Sequence, residues 1–104
     1  MTALTELLAK VEAGEIGGGL NTASVFGDTK SAMDAVDAFY GSLDAARELH
    51  EAVLPHHYAQ LHMWPMPEMT RVDIGGGHVG RDNIPARAWL IAILRALIAK
   101  EGDT

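Results

Sequence analysis

Apolar residues recur every three to four positions near both ends of this chain and every second position in one stretch of its middle. That patterning predicts helices flanking a β-hairpin. Leu4, Leu7, Leu8 and Val11 fall on one helical face with Glu6, Lys10 and Glu12 opposite, and Gly17-Gly18-Gly19 ends the helix. Gly17 to Lys30 is rich in Gly, Asn, Thr, Ser and Asp, which predicts a long loop with a short strand around 23–26. Ser31-Ala32-Met33-Asp34 has the residue types of a helix start, with Met33, Val36 and Phe39 as its apolar face. After Gly41, Ser42-Leu43-Asp44-Ala45 opens another helix by the same chemistry. Its expected buried stripe is Leu43, Ala46, Leu49 and Val53, and Pro55 stops it.

Beyond Pro55 the period shortens to two. Ala59, Leu61 and Met63 point one way, and Tyr58, Gln60, His62 and Trp64 the other. The turn Pro65-Met66-Pro67-Glu68 leads into Thr70-Arg71-Val72-Asp73-Ile74, with Val72 and Ile74 inward and Arg71 and Asp73 outward. So short a link predicts an antiparallel hairpin around 57–74. Gly75 to Gly80 reads as a flexible connection to a final helix beginning near Pro85. The fold class is therefore α+β, a single domain over 1–104. A small antiparallel sheet packs with three to four helices in the order αα(α)ββα.

The last helix is apolar on nearly every side, from Ala88 to Ile98, with Arg87, Arg95 and Lys100 as its polar strip. Such a helix is either a central packing element or part of a subunit interface. One sheet face and one neighbouring helix cover about two thirds of a helix's circumference. The remainder, around Trp89, Ile93 and Leu97 or around Leu90, Leu94 and Ile98, predicts a homo-oligomer, most simply a homodimer. The alternative is that the stripe of Leu4, Leu7, Leu8 and Val11 folds back and completes the cover.

Three sets of segments carry a family resemblance. They are Leu4-Thr5-Glu6-Leu7-Leu8 with Val11-Glu12-Ala13, Ser42-Leu43-Asp44-Ala45-Ala46 with Ala52-Val53-Leu54-Pro55, and Pro85-Ala86 leading to Leu94-Arg95-Ala96-Leu97-Ile98-Ala99-Lys100-Glu101-Gly102. In this order they resemble a group of small phage and prophage proteins of alphaproteobacteria, similar to the phage ABA sandwich type of domain. The resemblance implies helices packed on a small sheet, and it brings no catalytic residues. The chain departs from the pattern at Ile84, where a threonine usually precedes the proline, which leaves Asp82 or Asn83 to cap the last helix. It departs again at His56-His57-Tyr58, where a Gly-Trp usually follows the Leu-Pro.

Composition narrows the function classes. A chain of 104 residues with 48% hydrophobic content has the size and make-up of one globular domain. A net charge of -6 with eight scattered basic residues argues against nucleic acid and anionic membrane as partners. There is no cysteine, hence no disulfide and no thiolate metal site. The N-terminus lacks the basic flank and apolar core of a signal peptide, and the longest apolar run, 88–99, contains Arg95 and is too short to span a bilayer. The expected setting is cytoplasmic.

Candidate chemistry is sparse, and no catalytic, cofactor-binding or metal residue is expected. Gly75, Gly77 and Gly80 satisfy the letters of a dinucleotide fingerprint. However, Arg81-Asp82-Asn83 delays the helix, and no further strand follows to carry the acidic residue that holds the ribose. His62, His78 and Asp73 offer ligand atoms for a small metal- or ligand-binding protein or enzyme. No serine sits in a nucleophile elbow. The surface that stands out is the outer face of the hairpin: Tyr58, Gln60, His62, Trp64, Arg71 and Asp73, residue types enriched at interaction hot spots. It is open for binding unless the first helix or the segment around Val25 and Phe26 covers it. These readings, with the resemblance, point to a non-enzymatic phage or prophage accessory protein that binds another protein, such as a host protein. The alternatives are the metal- or ligand-binding protein and a virion or assembly component.

Overall fold

The computed structural model describes residues 3–14, 29–65, 68–75 and 77–102. Its elements are α1 (Ala3–Ala13), α2 (Thr29–Phe39), α3 (Leu43–Val53), β1 (Ala59–Pro65), β2 (Glu68–Ile74), β3 (His78–Asp82) and α4 (Pro85–Gly102). The fold is α+β, with an antiparallel sheet in the order β1-β2-β3. The strand expected around 23–26 lies outside the described residues.

α4 is the centre of the molecule. β3 and β2 pack on one side of it, and α1, α2 and α3 on the others. Ala86, Ala88, Leu90, Ile91, Ala92, Ile93, Leu94 and Ala96 are all buried, while Trp89, Leu97 and Ile98 are half-buried. Leu7 and Val11 of α1 are buried too, so the stripe that could fold back does so, and the cover of α4 is largely internal to one chain. The polar strip on α4 ties the layers together. Arg87 Nε donates to the Phe39 carbonyl at the end of α2, with its guanidinium over the Phe39 ring. Arg95 reaches both Glu12 of α1 and the Val79 carbonyl of β3.

Beyond Ile74 the chain returns as a third strand, where a flexible connection was expected. β3 pairs antiparallel with β2, Val72 opposite Gly80 and Ile74 opposite His78. Gly77 takes φ +89° in the turn, a conformation that glycine adopts without strain. Gly80 is buried because α4 lies against its backbone. A Cβ there would collide with the Ala88 carbonyl and the Ala92 amide. The position where a strand pattern calls for an inward apolar side chain is thus filled by the helix itself, which hid the strand.

Two helix faces also differ from expectation. The core face of α2 is Ala32, Ala35, Ala38 and Phe39, with Ser31 and Asp34 buried among them, whereas Met33 is 60% exposed. α2 begins at Thr29, two residues earlier than the Ser31 start. Small residues line this face because α2 lies close to both α3 and α4. On α3 the buried set is Ala45, Ala46, Leu49 and His50. Leu43 is exposed and His50 takes a core position. Ser42 does cap α3, accepting from the Ala45 amide. A Schellman pair closes α2 ahead of it: Gly41 N–H to Ala38 and Ser42 N–H to Asp37, with Gly41 at φ +111°. Lys30 joins the two helices through Asp34 and Glu48. The hydrogen bond to Asp34, foremost, raises its pKa above the ordinary 10.5. Of the two residues left to cap α4, Asp82 accepts from the Ile84 amide, an Asx turn that leads the chain into α4 rather than a bond to its first-turn amides.

Candidate functional site

Strand register decides which side chains share the outer face. β1 pairs with β2 through Gln60 opposite Asp73, His62 opposite Arg71 and Trp64 opposite Met69. β2 pairs with β3 through Asp73 opposite Val79 and Arg71 opposite Arg81. Because side chains alternate, Gln60, His62, Met69, Arg71, Asp73, Val79 and Arg81 lie on the face away from α4. Tyr58 precedes β1 on the same parity, with its ring against Gly75 and 70% of its surface exposed. Of the expected surface, Tyr58, Gln60, His62, Arg71 and Asp73 thus share one face, while the side chain of Trp64 lies outside the described ones. α1, one of its expected covers, packs mainly on α4, and Val25 and Phe26 lie outside the described residues.

Asp73 organises the centre of this face. One carboxylate oxygen is 3.3 Å from His62 Nε2, on the diagonal across the strand pair, and the other accepts from Arg71 Nε at 3.0 Å. His78, grouped with His62 and Asp73 from sequence, stands opposite Ile74 and so has the parity of the α4 side. The three cannot converge on one ion. Among the described residues no three His, Asp or Glu side chains are grouped to hold a metal.

β3 adds what the sequence did not reveal. His62, Arg71 and Arg81 form a single cross-strand row over all three strands. The Tyr58 carbonyl accepts from the Gly75 amide, so Tyr58–Gly75 is a hydrogen-bonded pair. By alternation Arg71–Arg81 is then a non-hydrogen-bonded pair, the type in which opposing side chains stand closest. Like charges directly opposite are unfavourable. Asp73 serves Arg71, and among the described residues no carboxylate pairs with the exposed Arg81. On a chain of net charge -6, two guanidinium groups thus stand side by side with one carboxylate between them and His62. The signal that could have found it was the Gly75-Gly76-Gly77 tract, read as a hairpin turn between Ile74 and Val79.

The second site missed in the sequence is internal. His50 is 6% exposed, with Nε2 2.6 Å from the His57 carbonyl and Nδ1 accepting from the Trp89 indole at 3.2 Å. Both ring nitrogens are committed to holding α3, the turn after it and α4 together, so this histidine is structural.

No family model matches the chain, and neither does any curated protein or solved structure. Among the described residues no helix is long and apolar enough to cross a membrane.

Proposed function

We propose that the protein is a non-enzymatic binding protein whose outer sheet face docks an acidic segment of a protein partner. The observation that carries this reading is the row His62–Arg71–Arg81, flanked by the exposed Tyr58, on an otherwise acidic chain. A partner carboxylate between Arg71 and Arg81 would relieve their opposition and form charge-assisted hydrogen bonds. Tyr58 supplies apolar area next to that contact. The resemblance of α1, α3 and α4 to phage and prophage proteins supports a cytoplasmic accessory role with a host protein as the partner.

The test is a titration of the purified protein with a labelled glutamate-rich peptide and with a lysine-rich peptide of equal length. Saturable binding of the acidic peptide that weakens with salt, and at least about tenfold in Arg81→Glu, supports the proposal. Equal binding of both peptides, no binding of the acidic one, or indifference to Arg81→Glu would overturn it.

A further inference from the structure

The two edges of the sheet differ. β3's outward carbonyl at Val79 is occupied by Arg95, which is anchored in turn by Glu12, so that edge is blocked. β1 has one strand neighbour among the described residues, β2. Since the hydrogen-bonded pairs with β2 fall at Tyr58, Gln60, His62 and Trp64, the backbone groups of Ala59, Leu61 and Met63 point away from the sheet. β1 also overhangs α4, which packs chiefly on β3 and β2. Met63, on the α4 side, is 58% exposed, and Leu61 beside it is half-buried. From Tyr58 to Pro65 the strand carries no Lys, Arg, Asp or Glu, the usual guards of an open edge.

We infer that β1 is the interface for a second copy of this chain, adding strand to strand about a two-fold axis at Leu61 to give a continuous six-stranded sheet. The sequence of β1 is self-complementary in that register. Leu61 stands opposite Leu61 of the second copy, and Ala59 opposite Met63, so a small residue meets a large one on the apolar side. On the other side Gln60 faces His62. The pairing uses the outward groups of Ala59, Leu61 and Met63 and needs no N–H from Pro65. A two-fold axis in the middle of a strand makes the interface isologous and closed, so the assembly stops at two. Two chains of net charge -6 approach along an edge that holds none of the acidic residues. The basic rows of the two copies then lie on one common face. This inference does not depend on what that face binds.

Light scattering across a micromolar concentration series should give twice the 11.1 kDa chain mass. Met63→Lys places a charge on an exposed edge position. It should shift the protein to monomer at least about tenfold more readily, with an unchanged circular dichroism spectrum. The chain has no cysteine, so Leu61→Cys gives a single thiol that should cross-link to its counterpart under mild oxidation, because directly opposed Cα atoms lie within disulfide reach. Met63→Cys should not. A wild-type mass of 11.1 kDa at every concentration would overturn the proposal. So would a dimer indifferent to Met63→Lys, or a dimer in which Met63→Cys cross-links and Leu61→Cys does not.

Discussion

The indole N–H of Trp89 donates to Nδ1 of His50 at 3.2 Å and so fixes the proton of that imidazole on Nε2, where it meets the His57 carbonyl at 2.6 Å. The ring lies in the junction of α3 and α4 with both nitrogens used. Trp89→Phe keeps an aromatic ring but leaves Nδ1 without its donor, so the fold should lose about 1–3 kcal/mol. Urea unfolding measures the loss, and 15N shifts of the imidazole should report the Nε2–H tautomer in the wild type. A double mutant with His50→Phe should cost less than the sum of the singles, since the two residues share one interaction.

Gly80 should tolerate no side chain. Its missing Cβ is the space in which the α4 backbone sits, and helix backbone cannot swing aside as a side-chain tip can. Gly80→Ala should destabilise the protein by about 1–3 kcal/mol or more. Gly77→Ala fails for a different reason: nothing lies within 4 Å of its Cβ site, but φ is +89°. It should cost about 1 kcal/mol through backbone strain alone. Equal losses in the two variants would mean that α4 does not press on Gly80.

Ile93→Glu separates a core from an interface. Ile93 is fully buried within the single chain, so a carboxylate there has no water and no partner. The expected result is an unfolded or aggregated protein, several kcal/mol less stable, and not a soluble monomer. Circular dichroism and light scattering on the same sample decide between these outcomes.

Arg81→Glu should stabilise the fold while weakening its binding face. Replacing the like-charge opposition with Arg71 by an ion pair is worth about 0.2–1 kcal/mol across a strand pair. Thermal melting should therefore rise slightly or hold while affinity for an acidic peptide falls. A variant that loses both stability and binding would mean that Arg81 holds the sheet together.

Periodicity alone determined the helices near 4–13, 43–53 and 85–100, the β1–β2 hairpin and the parity of its faces. Those features depend on neighbours a few residues apart, and backbone geometry converts such spacing directly into a shared face. β3 was not legible, because its central inward residue is a glycine whose space belongs to α4, and a missing side chain leaves no hydrophobic mark. The core role of His50 was equally hidden. Its two partners, His57 and Trp89, lie 7 and 39 residues away, and only packing brings them to a histidine on a helix that otherwise reads as amphipathic. α4 shows the same division. The sequence determined that a helix so apolar needed cover on every side; whether α1 or a second molecule supplied it depended on where α1 docks. Arg95, holding Glu12 at one end of its guanidinium and the β3 edge at the other, is one of the contacts that fix that position, and no local pattern contains a contact across 83 residues.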